Sequence, residues 1–451
     1  MISNKRTFCF PSTLVDAGSL ETCVDTRFDI SCEKDHKKEQ LAHLSPAQIV
    51  LLNSFWLGYH SFFFLLGAVI SPYQIRNIMG EDHKGEGLSL VCFLSAAVTL
   101  PASLLVGALN DRYVSKYGKR KPWIVVGSLC MSSSLLLLSD KSSLTTYIGG
   151  YLLVTVGGVL ASVPMNGLIS DLSAPDQKGS VSAVMGTFNM VGYLAAAVVG
   201  IFSDTLGTRG MYIIMSSALM LSAGLTCQLN EPRNNYKAIH RERLVWSTLL
   251  ADVLSPLQSF NFRMVFISRF FFQLGVATVQ QFLQYWISDC VSSNMSPTKA
   301  VSVAVIPLLV ISPVGAYFIS ASKRKTVVYI STALMSLTCL LMIVTTSFTG
   351  ALVVSGVFGL GYGPFLSVEF ALLMDVLPSG RDAARDISLW TVAMVLPQIV
   401  ATPIAGWVRD EFQGLGSSWN LQCLGYKCIF AICVVYFALG AEFTRRIEGI
   451  H

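Results

Sequence analysis

Twelve apolar runs of membrane-crossing length, separated by polar breaks, constrain this chain more than any other feature. They fall at about 48–72, 87–109, 122–139, 145–170, 180–203 and 210–229, then at 264–288, 298–320, 326–345, 350–374, 384–408 and 424–441. A helix needs roughly 20 apolar residues to cross the hydrocarbon core. In that medium only helices and closed barrels satisfy their own backbone groups. The runs are too long for barrel strands, so the expected fold class is an all-α polytopic membrane protein of about 12 transmembrane helices. A polar segment splits them six and six. This gives an N-terminal bundle at 48–229, a central loop at 230–263, a C-terminal bundle at 264–441 and a short tail at 442–451. Charged residues make up 13%, against roughly 25% in soluble domains, which excludes a large soluble core. The net charge of +5 resides in loops, so it gives no reason to expect nucleic acid as a partner; the lipid bilayer is the expected one.

Residues 1–47 mix seven acids with six cations and contain no apolar stretch of signal-peptide length. They read as a disordered cytoplasmic tail, with Cys9, Cys23 and Cys32 lacking metal-site spacing. Alternate connecting segments carry most of the 32 Lys and Arg residues. Only Arg76, Lys84, Lys141, Arg209, Lys299, Arg409 and Lys427 fall on the other side, and Arg269 lies inside a span. By the positive-inside rule both termini are expected in the cytoplasm. The Asn294-Met295-Ser296 sequon then falls on an outer loop, weakened by the following Pro297.

The loop after the second run reads Gly107-Ala-Leu-Asn-Asp111-Arg112-Tyr-Val-Ser-Lys-Tyr-Gly118-Lys119-Arg120-Lys121-Pro122. Gly107 is expected to permit close helix packing. Asp111 caps or pairs, the cations hold the loop at the inner surface, and Pro122 suits a helix's first turn. This stretch resembles the Gly-x-x-x-Asp-Arg…Gly-Arg-Arg loop of major facilitator superfamily transporters. Its five residues between Asp-Arg and Gly are similar to the longer form in the sucrose-symporter and glycoside–pentoside–hexuronide branch. The resemblance implies two pseudo-symmetric six-helix halves and a solute site between them, with no cofactor. The halves also echo each other. Asp171 precedes a helix ending at Asp204, and Asp375 precedes one ending at Asp410. Asp171 is expected to complete a charge relay with Arg112, and Asp375 to be its counterpart.

Polar residues inside spans are costly and usually face a cavity or a partner. Helix 1 has Asn53, Trp56 and His60 on one face; helix 4 has Thr155, Ser162 and Asn166; helix 7 has Arg269, Gln273, Gln280 and Gln284 beside Trp286; helix 10 has Tyr362 and Glu369. The resemblance places helices 1, 4, 7 and 10 around the cavity. Amides with flat aromatic faces suit a sugar ring, although they also suit other polar solutes. His60 is equally readable as a packed interhelical group, Glu369 as part of an inner gate, and Arg269 as a snorkelling cation.

Plant sucrose–proton symporters carry in helix 4 an Asp about nine residues before a Pro and an Arg two after it. Aligned on Pro164, this chain has Thr155 and Asn166 there. Residues 87–109 also lack the helix-2 acids of the sodium-coupled branch. Coupling is left to His60 and Glu369 as proton-carrying candidates. The expected function is a monomeric secondary transporter of a small polar organic solute, with a sugar or glycoside first. The alternatives are a carrier of amino acids, nucleosides or organic acids, and a transporter-like sensor or partner subunit. A membrane enzyme is disfavoured, since His60 is the sole intramembrane His and neither GxSxG nor HExxH occurs.

Overall fold

The structure is a computed structural model that describes residues 43–112, 115, 117–139, 143–174, 176–231, 255–319, 324–376, 383–419 and 421–448. The 1–42 part of the tail and most of the central loop lie outside the described residues. Residues 42–451 form one compact unit.

Twelve long helices carry the described chain: α1 (Pro46–Met79), α2 (Lys84–Arg112), α3 (Lys121–Leu138), α4 (Leu144–Leu172), α5 (Lys178–Ile201) and α6 (Ser203–Thr226), then α7 (Phe260–Cys290), α8 (Pro297–Ile319), α9 (Arg324–Val344), α10 (Phe348–Val376), α11 (Ala383–Ser418) and α12 (Leu424–Arg445). Eleven are long and apolar enough to cross a membrane. The twelfth, α6, starts seven residues before its apolar run, with Asp204 in its first turn and a break at Gly207 (φ 59°). Two helices outrun their apolar stretches. α1 continues through a π-helical turn at Leu65–Ile70 to Met79, where Pro72 withholds an amide donor and favours such local rewinding. α11 continues to Ser418.

Local chemistry sets the ends. Ser45 and Gln48 form a capping box on α1, and the Ser143 hydroxyl caps α4. The packing repeats with a step of six helices. α1 packs on α5 and α6, and α4 on α2 and α3; likewise α7 packs on α11 and α12, and α10 on α8 and α9. Small residues allow the tight pairs: a Cβ at Gly359 of α10 would come within 2.7 Å of the Leu308 carbonyl oxygen of α8. The halves meet along α2–α11 and α5–α8, pairs that the same step exchanges. The buried core runs continuously through both halves.

Candidate functional site

On α7, Arg269, Gln273, Gln280 and Gln284 share one stripe by helical spacing. Gln280 is exposed, whereas Gln273 and Gln284 are buried. Both amide atoms of Gln284 are buried without a hydrogen-bond partner. Arg269 forms an ion pair with Glu369 of α10 (Nε–Oε1 3.2 Å), with both residues under a tenth exposed. This corrects the snorkelling alternative. A cation buried beside a carboxylate in a span is an internal pair rather than a head seeking the interface. Tyr362, two turns before Glu369, lies on the same face of α10.

On α1, Asn53 is fully buried, with its amide nitrogen donating to the Ile49 carbonyl (2.9 Å) and its Oδ1 unpartnered. Trp56 Nε1 is likewise buried without a partner. Its ring stacks on His60 (centroids 5.6 Å apart, planes 27°). Tyr59 and Tyr193 meet the His60 ring edge-on.

Two residues that sequence reasoning missed complete the face. Asn189 of α5 has a buried Oδ1 without a partner, and Tyr193, four residues on, reaches both His60 and Phe64. The available signal was an amide and a phenol at i, i+4 in an otherwise apolar span. Attention to helices 1, 4, 7 and 10 passed over it.

The polar residues of α4 differ in burial. Thr155 is buried and shares a hydrogen bond with Ser95 of α2 (2.8 Å), while Asn166 is exposed. Trp286 also moves. It lies off the glutamine stripe and packs edge-on against Phe430 of α12, 2% exposed, so it belongs to the α7–α12 seam.

At the hinge loop, Asp171 pairs with Arg120 (Nε–Oδ2 2.9 Å). The Asn110 amide closes the same corner, accepting from Arg120 Nη1 (2.7 Å) and donating to the Lys119 carbonyl (3.2 Å) when its oxygen faces the guanidinium. The side chains of Asp111, Arg112 and Asp375 lie outside the described residues. Among the described residues, a Cβ at Gly107 would meet Val163 Cγ1 at 3.9 Å, an ordinary contact. The glycine that matters is Gly118, with φ 124° and a Cβ position 2.6 Å from Glu231 Oε2. The Glu231 carboxylate accepts from the backbone amides of Lys119 (2.6 Å), Arg120 (3.3 Å) and Lys121 (2.9 Å). It fills the anion site that the start of α3 offers. Glu231→Ala is expected to lower thermal stability by about 1–2 kcal/mol. A melting temperature equal to wild type would contradict that role.

The opposite end is sealed. Lys84, fully buried, donates to Glu81 (2.7 Å) and to Asp289 of α7 (2.7 Å), and its ammonium stands over the Tyr285 ring (5.0 Å). Tyr285 donates in turn to the Pro72 carbonyl (3.0 Å). Arg409 of α11, also buried, bonds Asp289 (3.2 Å), Asp410 (2.6 Å) and the Glu81 carbonyl (3.0 Å). Asp410 accepts from the Glu86 amide (2.8 Å), and Arg76 pairs with Glu81 and donates to Ser288 Oγ (2.8 Å). Deeper in the seam, Ser89 Oγ donates to the Thr402 carbonyl (2.6 Å). Together these hydrogen bonds and ion pairs join the halves at this end. A disulfide, Cys290–Cys423, stands beside the cluster, and we call this the disulfide end. A crevice of about 460 Å³ beside it, with exposed Leu90, Phe93 and Trp407, is a separate apolar feature of the α2–α11 seam.

Partial burial alone would raise the Glu81 carboxyl, but Lys84 and Arg76 outweigh it and hold it below its ordinary 4.5. A depressed carboxyl stabilises closure above that ordinary value and releases it only as the pH falls through the lower one. Glu81 is therefore expected to add no pH sensitivity between about pH 5 and 8. Opening at pH 5.5 that disappears in Glu81→Gln would contradict this, read as a distance between spin labels at positions 82 and 411.

Comparison with known proteins agrees with this architecture. The profile of the Major Facilitator Superfamily matches residues 55–298. The chain is 29% identical over 157 residues to the sucrose transport protein SUC3 of Arabidopsis thaliana, covering 29% of this chain and 26% of that protein. It is 30% identical over 115 residues to the purine ribonucleoside efflux pump NepI of Escherichia coli, covering 25% and 28%. These matches span about a quarter of the relatives' length. Among solved structures, the nucleoside transporter NupG superposes with a TM-score of 0.69 at 12% identity, covering 90% of this chain and 100% of that one. A bacterial homolog of the human lysosomal transporter Spinster gives 0.67 at 13%, covering 89% and 97%. The profile spans more than half of the sequence, and this chain belongs to the major facilitator superfamily.

Proposed function

We infer that this protein is a secondary transporter that moves a small polar organic solute, a sugar or glycoside first, by alternating access. The observation that carries this reading is the set of buried polar atoms without protein partners inside the spans: Asn53 Oδ1, Trp56 Nε1, Asn189 Oδ1 and the Gln284 amide. Such groups cost about 1–3 kcal/mol each when left unmade. Asn53, Trp56 and His60 share one face of α1, the Trp56–His60 stack meets Tyr193 one turn from Asn189, and Gln284 lies farther along α7 toward the disulfide end. Hydroxyls of a ring solute supply both donors and acceptors to them, and its apolar face suits the aromatic surface. Among the described residues, the buried cation on these faces, Arg269, is paired with a carboxylate, Glu369, which favours an uncharged solute.

Similarity to the sucrose transport proteins supports a sugar. Similarity to NepI supports a nucleoside as the second reading, since a nucleoside also offers a flat ring and hydroxyls. A domain division at the 230–263 loop agrees with the packing that repeats within 48–229 and 264–441. Cytoplasmic termini are supported by the cation bias and by the disulfide at the opposite end, because disulfides persist in oxidising compartments. On this orientation the sealed end faces away from the cytoplasm.

For coupling, Glu369 is favoured over His60. Glu369 has a cationic partner that protonation would release, whereas His60 is held by aromatic rings. A thermal-shift screen of the purified protein against sugars, glycosides, nucleosides, amino acids and organic acids tests the solute class. Stabilisation by sugars or glycosides is expected. Stabilisation only by organic acids or amino acids would overturn the reading.

A further inference from the structure

Asp289 is the acceptor on which closure of the disulfide end converges. Lys84 reaches it from the first half (2.7 Å), and Arg409 (3.2 Å) and the Tyr426 hydroxyl (2.5 Å) reach it from its own half. Its position is unfavourable on its own. Asp289 is the penultimate residue of α7, where the helix dipole disfavours a carboxylate and the last turn tends to fray. The next residue, Cys290, is joined to Cys423 across 133 residues. Cys423 caps α12 in the left-handed region (φ 60°), and Tyr426 sits in that helix's first turn. The covalent link therefore ties the end of α7 to the start of α12 and brings the Tyr426 hydroxyl within reach of Asp289.

We propose that the Cys290–Cys423 disulfide and Tyr426 are positioning elements of the gate: they hold the Asp289 carboxylate where Lys84 and Arg409 meet it, and so set the balance between the closed and open states of this end. This rests on the alternating-access reading above. Both cysteines lie in the second half, so the link does not itself join the halves. It acts on closure only through Asp289, which makes its effect separable from a general stabilisation of the fold.

The test is a thermodynamic cycle on the full-length protein in lipid nanodiscs. The open fraction is read as the long-distance population between spin labels at positions 82 and 411. Melting temperature is recorded alongside. The C290S/C423S variant is expected to raise the open fraction by about fivefold or more. Y426F, with the disulfide intact, is expected to move it in the same direction by a smaller factor. In a K84M background the cysteine substitutions are expected to add less than about twofold, because the contact they position is already gone. A lowered melting temperature with an unchanged open fraction would make the disulfide purely structural and overturn the proposal. So would an undiminished shift on top of K84M. If the cysteine variant does not fold, Y426F alone and in the K84M background carries the same cycle. One unchanging distance in every variant, K84M included, would overturn alternating access itself and this proposal with it.

Discussion

Lys84→Met is expected to shift the carrier toward the state open at the disulfide end by more than tenfold. Lys84 is fully buried and bridges Glu81 of its own half to Asp289 of the other. Breaking a buried pair from one side leaves the partner charge uncompensated, at a cost of about 3–5 kcal/mol. Here Asp289 keeps Arg409 and Tyr426, so about 2 kcal/mol is expected, roughly thirtyfold in the equilibrium. Asp289→Asn is expected to act in the same direction, since Lys84 and Arg409 each lose one of their two anions, and the one that Lys84 loses lies across the halves. Transport is expected to slow because the return through the closed state becomes rare, while insertion and yield stay near wild type. The label distance between positions 82 and 411 reads the shift. A wild-type distribution in both variants would show that this cluster is not a gate.

The second large effect concerns Arg269 and Glu369. Arg269→Ala strands a buried carboxylate, at a cost of about 3–5 kcal/mol in stability. The double variant R269M/E369L, which removes both charges, is expected to recover most of the lost melting temperature. Glu369→Gln keeps shape and hydrogen-bonding capacity but cannot carry a proton. It is expected to abolish uphill accumulation under a pH gradient while counterflow exchange continues. His60→Gln is expected to weaken solute affinity without uncoupling. If His60→Gln uncouples and Glu369→Gln does not, the assignments exchange. If wild-type uptake ignores both a pH gradient and protonophores, the carrier is a facilitator.

The fold was legible because hydrocarbon admits few solutions. Twelve apolar runs with a polar break in the middle leave little choice, and the hinge loop with Gly118 narrows the family. Boundaries were less legible where chain physics is local. The first apolar run as read ends at Pro72, yet a π-turn carries the helix past it to Met79. The α7 stripe followed from spacing, but spacing could not say that Trp286 turns toward Phe430. Pairings between distant segments were the least legible. Nothing local links Glu231 to the amides of residues 119–121, Asp171 to Arg120, or Cys290 to Cys423. The gate was hidden for the same reason. Its members are scattered loop-end charges that acquire a common function only when α2, α7, α11 and α12 converge.

The most direct test of alternating access through the site inside the spans is counterflow in proteoliposomes. Vesicles are loaded with an unlabelled sugar, glycoside or nucleoside that stabilises the purified protein, and entry of the labelled solute is followed. The expected result is a transient overshoot above equilibrium, strongly reduced in Gln284→Ala and in Asn189→Ala. Uptake equal to that of protein-free vesicles across the whole solute panel would contradict the account.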